Sequence, residues 1–224
     1  MALISVLIPT YRRPGLLQKA VASAAAQQGV EAEVIVEPDE RATGQSATLN
    51  RALARARGEL VTVLHDDDYY WTTEALAALE ATLVAHPTAA AAYSLPQYVN
   101  VFGVPVRTPP TLAAFAAAHP VVTWATLAEG FAVHGGGFLY RRAALEAAGP
   151  WDEGLPACQE WEYHLRLLHR GARFVACPTV TVAYRLHMGQ MSRRGGRIGR
   201  RSAVRAALRR EIAGRYRLTL QGAA

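Results

Sequence analysis

The sequence predicts an α/β fold arranged as a three-layer sandwich, a mostly parallel central sheet with helices on both faces. Three observations carry that prediction. The first 90 residues alternate short apolar runs with longer segments of helical periodicity, the β-α-β-α-β-α order that feeds a parallel sheet. The apolar runs are nearly unbroken, as expected of strands buried on both faces. Gly29, Gly58 and Pro87 punctuate the helical segments, so each is a separate element.

Leu3 to Ile8 reads as the first strand, closed by Pro9. Pro14 suits the first turn of a helix that runs to about Gln28. Glu33 to Val36 is the second strand, followed by Glu37-Pro38-Asp39-Glu40. Gly44 to Arg57 is helical, with Leu49, Leu53 and Ala56 on one face and Gly58 as its stop. Leu60 to Leu64 is the third strand and runs straight into His65-Asp66-Asp67-Asp68. Thr72 and Thr73 are candidate caps for a helix through His86. Beyond Ala89 the pattern loosens. It gives a strand over Ala90–Ser94, a hairpin over Tyr98–Arg107 around Gly103, and a short helix over Thr111–Ala118. A strand over Phe138–Tyr140 follows the Gly135-Gly136-Gly137 run, and a helix over Arg141–Ala148 ends at Gly149-Pro150. An amphipathic helix spans Cys158–Arg170, and strands over Phe174–Ala176 and Val180–Tyr184 complete the body. From Arg200 to Tyr216, Val204, Leu208, Ile212 and Tyr216 recur at i, i+4 spacing, an apolar stripe on an arginine-rich helix.

The chain has 224 residues, 51% apolar and 19% charged, which places it among globular proteins of one-domain size. No apolar run approaches the roughly 18 residues of a membrane span. The first strand begins almost at once, which leaves no room for a secretory signal. Cys158 and Cys177 form neither a disulfide framework nor a metal-spacing motif, so a reduced, cytoplasmic protein is expected. An Ala- and Arg-rich composition with Lys19 as its only lysine suggests a GC-rich bacterial genome. The net charge of +6 is unevenly placed: from Arg193 onward ten arginines face one acid, Glu211, so the remainder of the chain is mildly acidic.

Chemistry concentrates at the end of the third strand, where open α/β sheets keep their ligands. Three adjacent carboxylates repel one another unless a cation or solvent relieves them. The bland alternative is a solvated acidic loop. Neither a G-x-G-x-x-G fingerprint nor a G-x-x-x-x-G-K-[ST] loop follows the first strand. A diphosphate bound here would therefore need a divalent cation, and Asp66, Asp67 and Asp68 are the hard oxygen ligands that Mg²⁺ or Mn²⁺ takes.

With these residues in view, Ile4-Ser5-Val6-Leu7-Ile8-Pro9-Thr10-Tyr11-x-Arg13 resembles the opening of the family 2 glycosyltransferases, nucleotide-sugar enzymes of the GT-A fold. Further pieces follow in that family's order: Asp39 after the second strand, Leu49-Asn50-x-Ala52 with Ala56-x-Gly58, and the acidic triplet in the place of its D-x-D motif. Gly149-x-Trp151-Asp152-Glu153 and Gln159-Glu160-Trp161-Glu162-Tyr163 resemble the acceptor-side helix. Tyr184-Arg185-x-His187 with Ser192 resembles the closing motif. There are departures. Pro38 stands where the family often has an aspartate, Gln159-Glu160 replaces a Glu-Asp pair, and His65 begins the D-x-D-D pattern.

The resemblance implies a GT-A domain over residues 1–192, with a nucleotide-binding half at 1–94, an acceptor-side half at 95–192, and a basic, helical tail at 193–224. It implies metal-dependent, inverting transfer from a nucleoside-diphosphate sugar, UDP being the expected nucleotide, to a hydroxyl acceptor in cell-envelope or polysaccharide biosynthesis. Thr10, Tyr11, Arg13, Asp39 and Asp66 are the implied nucleotide contacts, with Tyr11 stacking on the base and Asp39 accepting a base N–H. Asp67, Asp68 and His187 are assigned to Mn²⁺ or Mg²⁺, with Asp66 as the alternative ligand and the diphosphate as the alternative partner of His187. Glu160 is the implied base, helped by a pKa raised by Trp161 and Glu162.

Other uses of the same residues stay open. Asp39 can cap a turn, Glu160 can be a dipole-favoured acid at a helix start, and Glu162 is expected to pair with an arginine. His134 is expected to be structural. The tail either packs on the body by its apolar stripe or contacts anionic lipid at the inner face of a membrane. Nucleic acid is not expected, because no aromatics interleave with the basic residues. The competing functional reading is a catalytically silent nucleotide-sugar-binding protein of the same fold.

Overall fold

β1 (Leu3–Thr10) feeds two layers in alternation. Ile4, Val6 and Ile8 enter one apolar cluster and Leu7 the other, the period of two that a strand imposes. β3 (Leu60–Val63) repeats the device, with Leu60 and Leu64 on the first side and Val61 and Val63 on the second. The structure, a computed structural model, describes residues 1–106, 117–127, 137–187, 190 and 200–217, and of 200–205 only the backbone.

β2 (Glu31–Pro38) and β3 flank β1 in parallel, in the registers Leu7↔Ile35 and Leu7↔Val63. Beside β3 lies β8 (Phe138–Arg141), antiparallel both to it and to β5 (Ala91–Tyr93). β9 (Phe174–Ala176) runs parallel to β5, and β7 (Val121–Val122) closes the edge antiparallel. The order is β2-β1-β3-β8-β5-β9-β7, parallel where the sequence alternates regularly and reversed at β8 and β7.

α1 (Pro14–Ala25) and α3 (Ala75–Ala85) cover one face through Ala20, Ala24, Leu76, Leu79 and Leu83. α2 (Gln45–Arg55), α5 (Arg142–Ala148), α6 (Gln159–His169) and α7 (Arg200–Arg215) cover the other through Leu49, Leu145, Tyr163 and Ile212, with Trp124 of the short α4 (Trp124–Leu127) packed beside them.

A second, three-stranded sheet positions the site. β10 (Val182–Arg185) pairs antiparallel with β4 (Tyr69–Tyr70) and parallel with β6 (Gln97–Val99). The register Ala183↔Tyr69 carries the chain after β10 past the acidic triplet.

Several local expectations change. The second strand is longer than Glu33–Val36, because all of Glu31–Pro38 pairs with β1. The third helix starts at Ala75, and Thr72 and Thr73 do not cap it; Gln27 Oε1 accepts the Leu76 N–H at 2.9 Å, so the cap comes from just beyond α1. Gly58 is not the stop of α2, which ends at Arg55 with Ala56 already extended. A Cβ at Gly58 would stand 2.5 Å from the Leu3 carbonyl and 2.7 Å from the Ser5 nitrogen, so glycine lets the chain cross β1 at close range. The expected helix over Thr111–Ala118 lies almost wholly outside the described residues, as do His134, Ser192 and residues 193–199. No helix among the described residues is long and apolar enough to cross a membrane.

Candidate active site

The C-terminal ends of β1 and β3 lie side by side, so the loop after β1 meets the triplet directly. Asp66 Oδ2 accepts the Thr10 hydroxyl at 2.9 Å and the Tyr11 N–H at 3.3 Å, and its Oδ1 accepts from Arg13 Nη1 at 3.1 Å. Arg13 also reaches Asp67 Oδ2 at 2.7 Å, so one guanidinium bridges two carboxylates. The Tyr11 ring is 39% exposed, with the Arg12 guanidinium 5.1 Å from its centroid, and is open to a ligand face. Thr10, Tyr11, Arg13 and Asp66 are thus gathered into one hydrogen-bonded cluster.

Asp39 lies beside it, its N–H donating to the Thr10 carbonyl at 2.8 Å. Its Oδ1 accepts from the Thr43 N–H and hydroxyl at 2.7 and 2.8 Å, and its Oδ2 from the Gly44 N–H at 2.9 Å. These donors outweigh burial and hold its carboxyl below the usual range. The geometry gives Asp39 the turn-capping role and leaves Oδ2 with room for one further donor.

β10 delivers the other side. The Arg185 N–H donates to Asp68 Oδ1 at 2.9 Å, and His187 Nε2 meets Asp67 Oδ2 at 2.9 Å. The Arg185 guanidinium is buried 5.3 Å from the Tyr69 ring centroid, and its Nε and Nη2 have no hydrogen-bond partner among the described residues. Burial and the neighbouring Asp67 push the Asp68 carboxyl up to about 7 against the pull of His65 and Arg185. Burial would raise Asp67 too, but His65, His187 and Arg13 together hold it down.

Of the assigned metal ligands, the structure brings Asp67 and His187 together and turns an oxygen of Asp68 to the Arg185 backbone. No group of three or more His, Cys, Asp and Glu side chains among the described residues is arranged to hold an ion. The pair nevertheless fits a divalent cation. Two cis ligands about 2.1 Å from an octahedral ion stand roughly 3 Å apart, close to the separation of these atoms, and Mg²⁺-type sites draw their remaining ligands from phosphate and water.

Glu160 opens α6 on the opposite flank. His65 Nε2 and Gln45 Nε2 reach its Oε1 at 2.9 and 2.7 Å. About a quarter of each side chain of the His65–Glu160 pair remains exposed, at 24% for both. Burial alone would raise the Glu160 pKa, but the His65 charge and hydrogen bond, with Gln45, hold it down at about 2. Burial alone would likewise lower His65, and Glu160 followed by Asp68 and Asp67 pushes it up to about 10. The expected raised pKa is therefore overturned, and neither Trp161 nor Glu162 governs it. Glu162 instead pairs with Arg166 at 2.6 Å and accepts the Tyr216 hydroxyl at 2.5 Å.

Sequence reasoning missed His65, Gln45 and Arg185 as members of this site. Only His65 and Arg185 carried a signal, as a substitution within the acidic pattern and as part of the closing motif. A cavity of about 210 Å³ beside Gln45 is lined by Thr43, Gly44, Ser46, Leu155 and Gln159. A larger one, about 410 Å³, lies at the opposite end of β3 against Leu60 and Arg141, away from this chemistry.

The family described as "Glycosyltransferase like family 2" matches residues 19–211. The chain belongs to this family. Solved structures agree on the fold of the family 2 chain. S. aureus TarS 1-349 in complex with UDP-GlcNAc superposes with a TM-score of 0.70 at 20% identity, over 94% of this chain and 65% of that one. The mannosyltransferase PcManGT from Pyrobaculum calidifontis, in complex with GDP-Man and Mn2+, gives 0.64 at 20% identity, over 82% and 56%. Another S. aureus TarS structure gives 0.62 at 18% identity, over 83% and 37%. The family 2 chain thus spans less than two thirds of each of these proteins. No curated protein sequence matches it significantly.

Proposed function

We propose that this chain transfers a sugar from a nucleoside-diphosphate donor to an acceptor hydroxyl in a single displacement with inversion. The observation that carries the reading is the placement, in a family 2 chain, of Glu160 across His65 from the Asp66–Asp68 cluster, which supports a base beside a metal-diphosphate site. Donors in the complexes of similar folds, UDP-GlcNAc and GDP-mannose, support a nucleotide sugar here, and UDP is the nucleotide we favour.

Tyr11 offers its exposed ring to the base, and Oδ2 of Asp39 accepts a base N–H while the rest of that carboxylate holds the 43–44 turn. Asp66, fixed by Thr10 and Arg13, orients the donor from the β1 side. Asp67 and His187 would hold Mn²⁺ or Mg²⁺, which when bound supplies Lewis-acid neutralisation of charge on the departing diphosphate. Arg185 adds a buried positive charge beside Asp68. Glu160, ionised at neutral pH, takes the acceptor proton as the acceptor oxygen attacks the anomeric carbon. Its depressed pKa keeps it in the basic form and makes it a weak base, so positioning carries more of the catalysis than proton affinity.

Glu160→Gln keeps the shape and removes the base. Transfer should fall by about 10²- to 10⁴-fold, with nucleotide binding in the presence of Mn²⁺ unchanged in calorimetry. Full transfer by that variant would overturn the assignment. The competing reading, a donor-binding protein without turnover, draws on the ion pair that already engages Glu160. Measurable donor turnover by the unmodified chain excludes it.

A further inference from the structure

The two polar contacts on the Glu160 carboxylate, a hydrogen bond from Gln45 and an ion pair with His65, fall on one atom. Gln45 Nε2 and His65 Nε2 converge on Oε1 at 2.7 and 2.9 Å, and among the described residues Oε2 makes no hydrogen bond or ion pair. The two donors come from different elements, the start of α2 and the end of β3. We propose that Gln45 is a positioning residue, clamping Oε1 of Glu160 together with His65 so that Oε2 is the atom that accepts the acceptor proton. This rests on the reading of Glu160 as the base.

The helix start does not restrain the carboxylate by itself. The N-cap of α6, Cys158, makes no side-chain capping bond, and a glutamate has three rotatable bonds to fix. One donor would fix an oxygen and leave the carboxylate plane free to turn. Two donors from separate elements fix both, which is how a base is held within reach of a reacting hydroxyl. An oxygen that already faces two donors cannot take a proton without losing one, whereas Oε2 can. In the step itself the acceptor O–H bond breaks and its proton goes to Oε2. The acceptor oxygen bonds to the anomeric carbon, and the carbon–oxygen bond to the diphosphate breaks with its electron pair leaving on the nucleotide.

Gln45→Met preserves length and apolar bulk and removes the donor. Three measurements on the full chain decide the matter. The first is UDP or GDP release from UDP-GlcNAc and GDP-mannose with Mn²⁺ and water as acceptor. The second is the melting temperature. The third is the ¹³C titration of the Glu160 carboxyl, assigned by its loss in Glu160→Gln. The groups facing that carboxyl are His65 at the end of β3, His164 on its own helix, and Tyr140 on β8. We expect kcat to fall about 10- to 100-fold with donor KM within about twofold, and the Glu160 midpoint to rise by about one pH unit, at a near-constant melting temperature. Unchanged kcat with an unchanged midpoint overturns the proposal. So does a joint loss of donor affinity, melting temperature and kcat, which marks a merely structural residue. Failure of the unmodified chain to turn over either donor sinks the transferase reading, while the titration still reports whether Gln45 holds Glu160.

Discussion

Asp66, Asp67 and Asp68 adjoin in sequence, yet each carboxylate meets its own set of partners, Arg13 alone being shared by Asp66 and Asp67. Asp66 faces the β1 loop, Asp67 faces Arg13 and His187, and Asp68 faces the Arg185 backbone. The triplet was legible as a site because like charges in a row need an explanation. Its partners were not, since they lie 53 to 120 positions away and only the folded register of β10 against β4 brings the later ones back. His164 was illegible for a different reason: an amphipathic pattern does not reveal that one polar position points inward. It is buried against Phe138, ring centroids 4.2 Å apart, with Tyr140 Oη 2.6 Å from its Nε2. Burial holds its pKa down at about 4. The unfolded chain, with histidine near 6.5, therefore takes up a proton that the folded chain refuses. The stability this gives is complete above about pH 6.5 and is lost as the pH falls toward 4, up to about 3 kcal/mol in all. The Asp68 carboxyl, raised to about 7, contributes an opposing slope over the same window, so chemical denaturation of the unmodified chain and of His164→Gln, which cannot titrate, should show the His164 contribution as the difference between the two slopes. A slope equal in both proteins would remove His164 as its source.

Among the elements, the long regular ones and the short strands β5, β8, β9 and β10 could be read, while the two-residue strands could not. β1, β3, α1, α2 and α6 have enough residues to display a period. β4 and β7 have two residues each, and no period exists in two residues. Gly58 looked like a helix stop because a glycine after a helix usually is one; only the packed structure shows β1 crossing it. The tail helix α7 had two readings, a stripe packed on the body or a lipid-facing surface. Ile212 is fully buried in the α6-side core, Tyr216 reaches Glu162, and Arg215 pairs with Asp152 at 2.7 Å. Leu208, Ile212 and Tyr216 of the apolar stripe are thus committed to the body. Ile212→Ala should cost about 2–5 kcal/mol in equilibrium unfolding, the range for a large-to-small change in a packed core. A cost below about 0.5 kcal/mol would mean that α7 is not docked as described.

At the scale of the whole molecule, the large sheet and the small one meet where β3 ends, and the ion pairs there join elements from every part of the chain. Arg13 follows β1, His65 follows β3, Glu160 opens α6 and His187 follows β10. A donor bound across this junction would tie those elements together, so its affinity should be readable as global stability. With UDP and Mn²⁺ at about 100 times the dissociation constant, linkage gives about 2.7 kcal/mol. For a chain of this size that is roughly 5–10 °C in melting temperature. Chelation should reverse most of the shift. Asp67→Asn removes the charged oxygen of the Asp67–His187 pair and leaves β1, β3 and β10 otherwise paired, so it should keep a melting temperature near that of the unmodified chain while losing the cation-dependent gain. Nucleotide alone should stabilise only weakly in both proteins, because diphosphate and carboxylates then repel across the junction. An equal Mn²⁺-dependent shift in Asp67→Asn would move the cation off Asp67. The absence of any shift with either UDP or GDP would detach the junction from nucleotide binding altogether.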